Sequence, residues 1–461
     1  MIKVVDSYCG SGKSQSMIKI INEAPKEQKF IYVTPFLKEC DRIKESCPKK
    51  NFRAPNSKIG KGSKQNHWQD LIDIDANIVC THALFNSIKS ETIALLKEHH
   101  YTLVLDEVLE AVEIYDILDD SSLEKDEKQR LNNEDLQRFI DDGHIQIAEN
   151  GMLFMNENDT LLSKYKKFED DIKKECLYLN LNRKSTNNAP VKVFPPRIFK
   201  DNLFEDIYIL TYLFSYQILS YYFQFFGIEY HLYYATQSPD GESIILSALN
   251  EDGTVSADFK RQDIEWRREI ARKIHVHQDS GKKKYNEVGA NYHALSANWY
   301  ETNLHTDNFL KLAKNLNLFF RNTPAKKRMW TCFKAYQERP NAFKKALKKQ
   351  GENNNNINLG KDKDNFISIN AKATNDYDHK TYLAYLINRF NNPIITNFFN
   401  IKGISFTKEK TENLALSDLI QWVWRSAIRK PEPEDIYIYV PSSRMRQLFC
   451  DWLYCEAFSD N

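Results

Sequence analysis

Charge imbalance is missing from this 461-residue chain: 64 lysines and arginines face 63 aspartates and glutamates, a net of +1. That balance excludes a polycation, so a surface for a polyanion must be a local basic patch. Cysteine spacing is missing too. The eight cysteines stand at 9, 40, 47, 80, 176, 332, 450 and 455 and form no Cys-x-x-Cys pair. Neither a zinc knuckle nor a disulfide framework is expected. Free thiols suit a reducing compartment, and a cytoplasmic location is expected. The chain opens directly on a strand-like run, which predicts no cleaved leader. The most apolar segment, 207–234, carries Tyr, Gln and Glu229 and reads as a buried strand plus helix rather than a membrane span. No internal repeat is visible.

What is present begins at residue 7. Ser7-Tyr8-Cys9-Gly10-Ser11-Gly12-Lys13-Ser14 follows the apolar run Ile2-Lys3-Val4-Val5 and precedes a helical stretch. A nucleoside triphosphate needs this arrangement. Glycines let backbone N–H groups close around phosphates, and the helix N-terminus adds its positive end. Gly10, Ser11, Gly12, Lys13 and Ser14 are therefore the candidate ATP-binding residues. Lys13 reaches the β- and γ-phosphates, and the Ser14 hydroxyl sits on Mg²⁺. Ser7 stands where the long form of this pattern has glycine.

The length predicts two or three domains. Strands are predicted at 3–6, 30–34, 77–81 and 102–105, with helices between them, and again at 206–211. This alternation predicts a parallel sheet with ligands at the carboxyl ends of its strands. The charged stretch 116–189 reads as a mostly helical insertion, and 236–290 as a connector. A second α/β unit, 291–461, is expected to hold strands near 327–333, 366–370, 394–399 and 435–440. The first domain thus comprises 1–115 and 190–235. The aromatic run 221–226 reads as core.

Leu103-Val104-Leu105-Asp106-Glu107 is the partner signal, an apolar strand ending in two acids. Asp106 suits a Mg²⁺ ligand, and Glu107 suits orientation or deprotonation of the attacking water. Together these motifs resemble the superfamily 2 helicases and translocases, and within them a bacteriophage-encoded group of helicase-like ATPases. The segments similar to that group are Leu210–Phe214, Leu295–Tyr300, Gln421–Arg429 and Tyr439–Arg446.

The resemblance implies two tandem RecA-like parallel-sheet domains, with the helical insertion in the first. It implies nucleic-acid contacts at Thr34 and Pro35, at Thr81 and His82, and at Thr211. A further contact is implied at Thr374, within Ala373-Thr374-Asn375-Asp376, or in the alternative segment Asn400-Ile401-Lys402-Gly403-Ile404. Trp330–Lys334 resembles the strand opening the second domain. Gln421-Trp422-Val423-Trp424-Arg425-Ser426-Ala427-Ile428-Arg429 stands where the family has its arginine helix, with Trp424 replacing a glycine. On a helix, Gln421, Arg425 and Arg429 would fall on one face. The implied role is to point guanidinium groups at the γ-phosphate.

The function implied is an ATP-dependent helicase or translocase acting on nucleic acid, single-stranded DNA rather than RNA. Its cofactors are ATP and Mg²⁺, no membrane is involved, and the insertion offers a surface for a protein partner. Two other readings share the loop: a nucleoside or nucleotide kinase, and a nucleic-acid-binding protein using ATP structurally.

Overall fold

Short apolar runs alternating with amphipathic helices produce an α/β fold with two parallel sheets. A computed structural model describes all residues except 60–61, 116–132, 157–158, 163–164, 180–189, 239–242, 251, 281–283, 334–364, 370–374, 431 and 455–461. The chain divides into two units. The first comprises Met1–Ser7, Gly12–Ala248 and Asn391–Thr407, and the second Tyr8–Ser11, Leu249–Phe390 and Lys408–Asn461.

The first unit starts with β1 (Ile2–Asp6), β2 (Lys29–Thr34), β3 (Ile78–Thr81) and β4 (Tyr101–Asp106). Next come the short strands β5 (Val112–Ile114), β6 (Ile145–Ile147), β7 (Leu153–Met155), β8 (Leu177–Tyr178) and β9 (Val191–Val193). β10 (Phe204–Thr211), β11 (His231–Gln237) and β12 (Ile244–Ala248) complete it. The main sheet has the order β12-β11-β1-β10-β4-β2-β3, parallel except for the β11–β12 pair. Its inner strands are apolar almost throughout, as strands covered on both faces require. Val4, Val5, Ile31, Val33, Leu103, Leu105 and Ile209 are wholly buried.

Three expectations are corrected here. Residues 236–248 are not a connector, because β12 folds back on β11 as an edge of the first sheet. The described part of the 116–189 insertion is mixed rather than mostly helical. It holds the helices Asn133–Asp141 and Lys166–Lys173, the β6–β7 hairpin and β8, which joins the flanking strands β9 and β5 in a small antiparallel sheet, around a core of Tyr165, Phe168, Ile172 and Leu177. Residues 394–399 form no strand. Pro393–Asn400 is a helix, because the Asn392 side chain accepts the Ile394 N–H (2.9 Å) and Pro393 takes the first turn. That cap overrides the strand preference of Ile and Phe. The helix belongs to the first unit, where Phe398 stacks on Phe225 with ring centres 4.4 Å apart. Tyr221, Tyr222, Phe223 and Phe225 are core residues of the helix Ile218–Phe226.

The second unit carries a four-stranded parallel sheet of order β13-β16-β15-β14. Its strands are β13 (Ile274–Val276), β14 (Arg328–Thr331), β15 (Tyr382–Tyr385) and β16 (Ile436–Tyr439). β13 and the 17-residue helix Ala257–Lys273 occupy the rest of the expected connector. The strand expected near 366–370 reduces, among the described residues, to one bridge from Phe366 to Trp330. β15 lies between the strands expected near 366–370 and 394–399, where the sequence analysis places no strand. No helix among the described residues is long and apolar enough to cross a membrane.

The turn at Gly289 is set by close approach. A Cβ there would lie 1.9 Å from the Pro441 carbonyl oxygen, a backbone atom that cannot swing aside. Gly289→Ala is therefore expected to lower the unfolding free energy by about 1–3 kcal/mol, read as a lower urea midpoint with an unchanged slope.

Candidate nucleotide site

The register of the first sheet puts the candidate residues in one row. Asp6 pairs with Thr211, Leu210 with Asp106, Val33 with Leu105 and Thr34 with Thr81. Five strands thus end together, at the edge where parallel sheets place their ligands.

The loop leaves β1 at Ser7, whose N–H donates to the Thr211 carbonyl (3.1 Å). The Ser7 hydroxyl accepts the Ala235 N–H at 2.7 Å, which ties the loop to β11. A glycine at this first position could not make that bond. Gly10 (φ +88°) and Gly12 (φ +84°) take the left-handed conformation that glycine permits without a Cβ penalty. Gly12 also needs the space, since a Cβ would meet the Ile244 side chain at 2.0 Å. Ser11 donates its N–H to the Tyr8 carbonyl (3.2 Å). The helix Lys13–Glu23 starts directly after Gly12. Lys13 folds back so that its ammonium donates to the Ser7 carbonyl (2.6 Å).

Ser14 lies one residue further on. Its hydroxyl stands 3.3 and 3.2 Å from the two carboxylate oxygens of Asp106. The Tyr32 hydroxyl donates to Asp106 Oδ2 (2.9 Å), and His82 Nε2 donates to the Asp106 main-chain carbonyl (2.8 Å). Loss of hydration holds the Asp106 carboxyl above its usual 3.8, against the opposing pull of Tyr32 and of the Arg42 charge. Burial pushes the Tyr32 phenol well above 10, so it remains a donor. The residues fit a magnesium ion: a hydroxyl and a carboxylate, both hard oxygen donors, converge where a negative charge is poorly hydrated.

Glu107 follows in a left-handed conformation (φ +69°), with its N–H donating to the Leu210 carbonyl (3.0 Å). Leu213 is left-handed as well (φ +58°), held there by Asp6, whose carboxylate accepts the Leu213 and Phe214 N–H groups (2.8 and 2.9 Å). Non-glycine residues in this region are uncommon, and they concentrate where surrounding structure dictates them.

The expected nucleic-acid contacts separate into two groups. Thr34, His82 and Thr211 are buried, which corrects their reading as direct contacts. The Thr211 hydroxyl donates to Gln217 (3.0 Å), and His82 serves the Asp106 carbonyl. Pro35 and Thr81 are partly exposed, and Thr81 caps the helix His82–Asn86. Thr374 and Lys334 lie outside the described residues. Asn400–Ile404 closes the helix Pro393–Asn400 in the first unit.

The predicted arginine face is not one helix face. The helix Lys408–Val423 ends before Arg425, and Arg429 sits on a separate 3₁₀ turn, Ala427–Arg429. Gln421 is partly exposed and donates to the Ser417 hydroxyl (3.3 Å). Arg425 is buried, with Nη1 donating to the Ser368 and Ile369 carbonyls (3.4 and 3.2 Å). Its observed role is to secure that segment of the second unit. Arg429 is exposed. Trp422 is core and donates its ring N–H to the Ile367 carbonyl (3.0 Å).

Sequence reasoning missed Asp6, Tyr32, Gln217 and the use of the Ser7 hydroxyl. Tyr32 had a faint signal, a polar-tipped ring in a strand otherwise committed to burial.

A glycine turn, a lysine, and a serine facing an acid thus meet at one edge of the parallel sheet in an α/β unit. A family model described as "YonV C-terminal Rossmann-like domain" matches residues 268–453. The "SPbeta prophage-derived uncharacterized protein YonV" of Bacillus subtilis (strain 168) is 34% identical over 470 residues, covering 98% of each chain. The chain belongs to the YonV family. Among solved structures, one titled "XPD_Helicase" is similar over 100% of this chain and 95% of that chain, with 12% identity and a TM-score of 0.43.

Two outcomes are expected. Because the folded Asp106 carboxyl titrates above 3.8, its charge costs stability once the pH exceeds that range, and the cost is absent below it. Asp106→Asn should therefore raise the metal-free melting temperature at neutral pH, with the gain fading as the pH falls toward about 4. Arg425→Ala should lower the unfolding free energy by about 2 kcal/mol, because it strips a charged donor from two carbonyls. Thermal melts across pH check the first and denaturant melts the second.

Proposed function

We propose that this chain is an ATPase that couples hydrolysis to movement on nucleic acid, as a helicase or translocase on single-stranded DNA. The observation that carries the reading is the approach of Ser14 to Asp106, 3.2 Å, directly behind the Gly10–Gly12 turn. A phosphate loop and an acidic strand end far apart in sequence meet there as a nucleoside triphosphate requires.

In this mechanism the N–H groups of Gly10 to Ser14 hold the phosphates, and the helix N-terminus adds its positive end. Lys13 leaves the Ser7 carbonyl to meet the terminal phosphates, a short swing because it already spans the loop. Ser14 and Asp106 would hold Mg²⁺, which when bound would neutralise charge on the transferred phosphoryl group. Tyr32 keeps one Asp106 oxygen fixed. Glu107, aimed by its constrained backbone, orients the attacking water and takes its proton. Of Gln421, Arg425 and Arg429, we assign Arg429 as the guanidinium for the developing charge, because it alone of the two arginines is exposed.

The second parallel sheet supports a motor over a nucleotide kinase, which would need only the first unit. The test is ATP turnover by the full chain with no polymer, single-stranded DNA, duplex DNA or RNA. Single-stranded DNA is expected to stimulate most. Lys13→Ala should cut turnover by about 100-fold or more while melting normally. Full turnover by that variant, or phosphorylation of free nucleosides with no response to DNA, would overturn the reading.

A further inference from the structure

The segment Leu295–Tyr300 is not used by the nucleotide site. It lies at the carboxyl edge of the second sheet, and the structure fixes it there. Asn388, just beyond β15, donates its side-chain N–H groups to the Tyr292 and Ala294 carbonyls (2.7 and 2.9 Å). Its main-chain N–H donates to the Leu295 carbonyl (2.9 Å). Gly289 abuts Pro441, just beyond β16, and the Ser443 hydroxyl donates to the Ala290 carbonyl (3.1 Å). Leu295 is wholly buried yet left-handed (φ +65°), and Ser296 then caps the helix Ala297–Asn303.

This rigid path opens a cleft of about 550 Å³, within the range of small-ligand pockets. Asn291, His293, Asn298, Trp299, Asn308 and Lys311 line it. Lys311 and Glu287 both line it, so the lining carries one charge of each sign rather than a basic cluster for phosphate. The supply is instead of side-chain amides and rings. The exposed Asn298 amide makes no hydrogen bond among the described residues, and Asn308 spends a donor on Asn303 (3.1 Å) while its carbonyl stays available.

We propose that this cleft receives a nucleobase of a single strand, an inference that rests on the nucleic-acid reading above. A side-chain amide offers a donor and an acceptor in one plane, matching a base edge. The face of Trp299 offers a stacking surface that any base can use. The strand would be gripped through its bases here, and binding would survive the absence of nucleotide.

The experiment measures binding to the full chain, without ATP, of oligo-dT, an RNA of equal length and an abasic deoxyribose-phosphate strand of equal charge. Base-bearing strands of at least one sugar type should bind about 10-fold tighter than the abasic strand. Trp299→Ala should close that gap. Asn298→Ala with Asn308→Ala changes only exposed side chains, and should narrow it without altering the melt or polymer-free ATP turnover. Equal binding of abasic and base-bearing strands by the natural protein would overturn the inference, as would a gap that persists in both variants. If the natural protein turns over no ATP but the gap is present and closes in the variants, the base site stands and the motor reading falls.

Discussion

Parallel register is the constraint on which the first unit depends. Asp106 is useful only because β10 separates β4 from β1 by one strand, and because all three end level. A slip of one residue in β4 would turn the acid to the other face and remove it from Ser14. The apolar residues of these strands therefore do more than fill a core. Val4, Val5, Leu103, Leu105, Ile209 and Leu210 lock the register against helices on both faces, and the chemistry inherits its geometry from that packing.

Around this row the main chain is repeatedly forced into rare conformations. Glycine relieves two of them at Gly10 and Gly12, and Glu107 and Leu213 bear the others without that relief. Asp6 shows how such a conformation is sustained. Its carboxylate accepts two successive N–H groups at Leu213 and Phe214, and so fixes the exit of β10 from beneath the loop. Acids with different partners are thus neighbours at one edge: Asp106 meets the hydroxyls of Ser14 and Tyr32, and Asp6 meets the backbone.

Much of this was legible in the sequence. The glycine turn before the helix Lys13–Glu23 and the strand ending at Asp106 were readable because glycine and paired acids after apolar runs mark the points where strands stop. Five of the first sheet's seven strands were readable because full burial leaves unbroken apolar runs. What escaped did so for physical reasons. β15 reads Tyr-Leu-Ala-Tyr, apolar without alternation, and a buried strand and a helix cannot be told apart in so short a run. Pro393–Asn400 has strand-forming residues but is decided by its cap. The arginines at 425 and 429 keep a spacing of four that means nothing once the helix stops at Val423. The buried fates of Thr34, His82 and Thr211 depend on partners from other elements, which a linear reading does not contain.

The detour of 391–407 has a practical outcome for anyone dividing the chain. A fragment cut at 248 would leave behind the helix whose Phe398 covers Phe225 and Tyr178, exposing an aromatic floor on one piece. The complementary piece would carry Phe398 and Phe399 as an uncovered greasy hook. Neither half, so trimmed, is the unit that the full polypeptide folds, and sticky, poorly behaved fragments would reflect the scissors rather than the protein.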